Sequence, residues 1–222
     1  MKGKMIKMQN NYQLVTIIND NESFPDDSLD ILSEMHTSGP VSAGFIHSRI
    51  QSLMEYRNGI TGCEFNSSSI DHICHSITNS MVFEFKDCII KHCLAINKAL
   101  NAIIGNGNYN ILLDDQFSEI DQLLDKSYNR IFWLGPYLTR DIDIDYLEIE
   151  LLGRCSVLFE EIFYKISAIV NKIKAIELNC ENVDKISEIN RVLNVESAKM
   201  VQELFHIVSL YIPSYYKVKE IV

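Results

Sequence analysis

The stretch LEIELLGRCSVLFEEIFYKISAIVNKIKAI, residues 147–176, decides the fold. Leu147, Leu151, Leu158, Ile162, Ile166, Ile169, Ile173 and Ile176 recur at the spacing of one helix face. A second row, Leu152, Phe159, Phe163 and Val170, widens the face until the polar remainder narrows to Arg154, Glu161, Lys165 and Lys172. So wide an apolar arc predicts a helix at the centre of a bundle. Asp141, Asp143, Asp145, Glu148 and Glu150 crowd its start, as the helix dipole favours. Glu161 and Lys165 stand in the better order for an i,i+4 ion pair. The alternation Ile142-Ile144-Tyr146 is the competing reading, a short strand.

Upstream, Ser68 with Asp71 three residues on has the capping-box pattern. Apolar residues follow at Ile70, Ile73, Ile77, Met81, Phe85, Ile89, Leu94, Leu100 and Ile103, with no Gly or Pro before Gly105. This is one long helix, or two broken near Asn79-Ser80. Gly105 to Asn108 is a turn. Leu113, Phe117, Ile120, Leu124 and Ile131 mark the next helix, stopped at Gly135-Pro136. A last helix is expected from about Asp184 to Ile212, ending before Pro213. The connections are short, so consecutive helices should run antiparallel.

The expected fold class is therefore all-α, an antiparallel bundle of long helices over residues 41–222. Residues 1–40 form a less regular N-terminal segment, with a short strand at Gln13–Ile18, an acidic loop around Pro25 and a short helix from Ser28. A further helix is expected from Val41 to Arg57.

The chain has 222 residues, enough to bury a real core. It holds 31 Ile against 7 Ala, so its helices must depend on packing more than on intrinsic propensity. A formal net charge of −10 argues against a broad phosphate-binding surface, and no nucleic-acid partner is expected. The basic start, Met1 to Lys7, is followed by no apolar core of a signal peptide. No apolar run approaches the ~20 residues of a membrane helix. A cytoplasmic protein with reduced cysteines is the expectation, in a host cytosol if the protein is exported. The composition suits an effector or viral protein.

Four constellations invite chemistry. Seven of the chain's twelve Cys and His residues lie between Cys63 and Cys93. Cys88 and His92 have i,i+4 ligand spacing, and His72 and His75 are i,i+3, so the four would bind zinc if the helix broke between the pairs. In one continuous helix they cannot converge. His72 and His75 then share a polar stripe with Asn79 and Lys86, while His92 joins Cys88 and Phe85 on the apolar one. The absent CxxC spacing favours this plainer reading.

Asp114 to Glu119 resembles the DDxxxE motif of class I terpene synthases, whose acids hold magnesium on a diphosphate. The resemblance covers six residues and lacks the downstream Asn/Ser/Glu motif. The preceding turn puts these acids at a helix start, where the dipole accounts for them. Glu203 and His206 form one ExxH pattern where a di-iron bundle needs two, on a stripe shared with Glu196, Lys199 and Gln202. Cys63 follows Gly59 and Gly62 and would serve as a nucleophile if His47, His72 or His206 approached it as a base.

The leading expectation is a non-enzymatic module that binds another protein, with no cofactor. The alternatives are an enzyme using Cys63 with a His base, and a metal-stabilised bundle using Cys88 and His92 with zinc.

Overall fold

The computed structural model describes residues 67–105, 109–113, 115–132, 144–178 and 182–221. Among them stand four α-helices: α1 (Ser67–Ile104), α2 (Asp115–Phe132), α3 (Ile144–Glu177) and α4 (Val183–Ile221). A single 3₁₀ turn, Ile111–Leu113, precedes α2. The fold is the expected all-α bundle. The readings made for residues 1–66, Cys63 and the Val41–Arg57 helix included, lie outside the described residues.

The segment from Ser67 to Ile104 is one helix of 38 residues, about 57 Å long by the helical rise. Polar Asn79-Ser80 does not break it, because Ser80 is itself buried while Asn79 faces out. Its buried face is Ile73, Ile77, Met81, Phe85, Ile89, Ile96 and Leu100. Leu94 is exposed. It sits off the stripe, and Cys93 and Ile96 fill the core at that level instead.

Side-chain pairs fix the directions. His75 meets Tyr128 and Lys86 meets Asp125, so α1 and α2 are antiparallel. Thr78 meets Tyr215 and His92 meets Glu196, so α1 and α4 are antiparallel too. Tyr216 with Glu148 and Lys174 with Asn190 set α3 against α4. Each helix packs on two neighbours, in the ring α1–α2–α3–α4 closed by the long α1–α4 seam. Phe159 of α3 stacks edge-on between Phe85 of α1 and Phe205 of α4, with centroids 5.1 Å away on both sides. Such pairs add about 0.5–1.5 kcal/mol each beyond area burial.

Three local expectations change. Among the described residues the wide-faced helix α3 is one wall of the ring and not its centre, and part of its apolar arc, Ile176, faces outward. Lys165 bonds Glu119 on α2 rather than Glu161 on its own helix. Helix α4 runs through Pro213 to Ile221. Proline inside a helix costs about 3 kcal/mol, and here the following turns are held by burial of Tyr215 and Val218 and by bonds to two other helices.

The turn after α1 is fastened by two asparagines. Asn97 is buried, accepts from the Ile111 amide at 2.8 Å and donates to Asn110 Oδ1 at 2.8 Å. Asn101 brackets Tyr109, accepting from its amide and donating to its carbonyl. Gly105 closes the helix at φ 83°, the left-handed position that a side chain disfavours.

Candidate functional site

The chemistry of the described residues gathers on the α1–α4 seam. His92 sits on the buried face of α1 with only 6% of its side chain exposed. A histidine so placed needs partners at both ring nitrogens. Glu196 Oε2 lies 3.2 Å from Nδ1, and Glu203 Oε2 lies 3.1 Å from Nε2. The two carboxylates are two helical turns apart on α4, so both face the same turn of α1. Lys91 donates to both oxygens of Glu203 at 2.7 and 2.6 Å, and Lys199 donates to Glu196 Oε1 at 2.7 Å. The Lys199 ammonium first, then His92, holds the Glu196 carboxyl below its ordinary range. Lys91 first, then His92, does the same for Glu203.

Cys88 lies one turn before His92 on α1, buried, with its thiol 3.9 Å from the Met200 carbonyl. Burial, followed by the charge of Glu203, pushes this thiol up to about 12. One ligand atom each from Cys88, His92 and Glu203 lie within 4.8 Å of one another. His92 and Glu203 line a cleft of about 550 Å³ together with Lys91, Glu196, Lys199 and His206.

The other residues singled out in the sequence fall elsewhere. Helix continuity puts His75 about 20 Å from Cys88 along the axis. His75 is instead half-buried against α2, its Nδ1 bonded to the Tyr128 hydroxyl, with ring centroids 4.7 Å apart. His72 lies on α1 one turn before, further still from Cys88. His206 is exposed on α4 at the rim of the cleft. Asp115 occupies the first turn of α2, and Glu119 is taken up by Lys165, as befits dipole and ion-pair acids.

Glu196 and Glu203 are the partners, and both come from the stripe that the sequence shares among Lys199, Gln202 and His206. The signal was present: two acids seven residues apart on the helix facing a lone histidine of an apolar stripe. Only the α1–α4 register could connect them.

A second feature lies on the outer face of α3. Tyr146, Ile149, Val157 and Tyr164 are 49, 67, 52 and 62% exposed. With Gly153 and Glu160 they step by three or four residues along one line of about 27 Å.

No protein-family model, curated protein or solved structure matches this chain. Among the described residues no helix is long and apolar enough to cross a membrane.

Proposed function

We propose that this chain is a non-enzymatic interaction module of the cytosol, docking a basic, amphipathic helix of a partner protein along the outer face of α3. The exposed line of Tyr146, Ile149, Val157 and Tyr164 carries the reading. A helix with so wide an apolar arc is ordinarily enclosed; α3 has neighbours on one side only among the described residues. Large rigid aromatics with aliphatic residues between them are the side chains that anchor helix-in-face contacts. Glu160 stands within the line, Glu150 (paired with Arg154) and Glu161 edge it, and the net charge of −10 has the same sign. A partner flanked by Lys and Arg therefore gains both steering and rim contacts.

The test is a titration of the full chain with a Leu/Lys amphipathic helical peptide, beside a Leu/Glu counterpart. Binding of the first alone is expected, and Ile149→Asp/Val157→Asp should abolish it. The variant is more acidic, so a purely electrostatic association would tighten instead. Binding that survives the variant, failure to bind the basic helix, or self-association through this face would overturn the reading.

A further inference from the structure

We propose that Cys88, His92 and Glu203 form a zinc site that clamps α1 to α4. This inference is independent of the docking face on α3. The first support is spacing. Cys88 and His92, four residues apart, project from one face of a rigid helix, and Glu203 meets them from the facing helix. The second is proximity. The three ligand atoms lie within 4.8 Å of one another. Ligands around a tetrahedral zinc, bound at about 2.0–2.3 Å, stand roughly 3.6 Å apart. The remaining closure is on the order of 1 Å, the scale of a side-chain rotation.

The third support is the second carboxylate. Nε2 of His92 faces Glu203, and Nδ1 faces Glu196 at 3.2 Å. A ligating imidazole commonly gives its other N–H to a carboxylate, which fixes ring orientation and tautomer. Glu196 is placed for that role, and Lys199 anchors it from the solvent side. Glu196 is thus a positioning residue and not a ligand.

The ligand types select the metal class. A thiolate with an imidazole and a carboxylate suits zinc and excludes magnesium or calcium, which take oxygen ligands. Binding converts the Cys88 thiol to a thiolate and displaces the proton between His92 Nε2 and Glu203, and both protons go to water. Affinity therefore rises with pH. Glu203 exchanges its contact with His92 for the ion. Three protein ligands leave a fourth position for water.

The same side chains also satisfy one another as an ion-pair network. That network alone would join α1 to α4 without any metal, so the experiment must separate the two. The chelator-treated full chain is titrated with cobalt(II) and followed by absorption. One equivalent should produce a thiolate-to-cobalt charge-transfer band in the near ultraviolet, with intense tetrahedral d–d bands, and zinc should displace it. Cys88→Ser should remove the charge-transfer band, while Cys74→Ala, elsewhere on α1, should keep it. Glu196→Gln leaves every ligand in place and should weaken metal binding about 10–100-fold. That variant keeps the proposal testable if Cys88→Ser fails to fold. Absence of the band in the wild-type chain or its survival in Cys88→Ser would overturn the site and leave an ion-pair network only, and unchanged affinity in Glu196→Gln would overturn the positioning role of Glu196.

Discussion

The pair Thr78 and Tyr215 offers a sharp test of how the last turns of α4 are held. Both residues are buried, at 0 and 2% exposure. The Thr78 hydroxyl donates back to the Cys74 carbonyl at 2.8 Å, and the Tyr215 hydroxyl lies 2.9 Å from the same Thr78 oxygen. The threonine has one proton, and it is committed to Cys74. Tyr215 must therefore be the donor between the two, and the two single substitutions differ in what they strand. Tyr215→Phe removes the donor and leaves Thr78 still bonded to Cys74, which should cost about 0.5–1.5 kcal/mol. Thr78→Val keeps the shape but leaves the Tyr215 hydroxyl buried with no acceptor there. That should cost about 1–3 kcal/mol. The double variant strands neither group and should cost less than the sum, with a coupling on the order of 1 kcal/mol. Urea unfolding followed by circular dichroism measures all four proteins, with unchanged m-values expected. If Thr78→Val costs no more than Tyr215→Phe, the donor assignment is wrong.

Three further outcomes are expected. Burial pushes the Cys93 and Cys155 thiols, like that of Cys88, from 9.0 up to about 12. The unfolded chain ionises them first, so stability should be intact below about pH 9 and fall as pH rises from there toward 12, which alkaline melting curves read. Glu196 and Glu203 titrate below their ordinary 4.5 in the fold; the stability they contribute is present above that value and lost as pH falls through the folded pKa. Glu196→Gln/Glu203→Gln should therefore flatten the acid limb of a stability–pH profile. Gly105→Ala places a side chain at φ 83° and should cost about 1 kcal/mol or more by urea unfolding, although nothing lies within 4 Å of the added Cβ.

The bundle was legible because its cue is local. Periodicity along Ile73, Ile77, Met81 and Phe85, and along Leu151, Leu158, Ile162 and Ile166, needs no partner to be recognised. The errors arose where neighbours decide. Pro213 reads as a stop, yet Tyr215 and Val218 have a core to enter, and packing outweighs one missing hydrogen bond. The width of the α3 face suggested enclosure, whereas the number of helices around it sets that outcome. Cys88 and His92 were visible as a pair from their spacing. Their completion by Glu196 and Glu203 was not, because it depends on which turn of α4 stands opposite a given turn of α1. Asn97 and Asn101 carried no signal as clasps either, since their bonds run to backbone that only the folded turn brings near.

Pro213 also decides how the chain comes apart at this end. An ordinary helix terminus frays one residue at a time, each amide letting go after the one beyond it. Here the ladder is interrupted: Pro213 has no amide hydrogen to offer the Ser209 carbonyl. The eight residues from Ser214 to Ile221 are secured sideways, by Tyr215 to α1 and by Tyr216 to α3. Loosening of these turns should therefore proceed as a latch does, with both catches releasing together, and not as an unravelling thread. In exchange measurements those amides should open as a single unit, with the proline at its boundary.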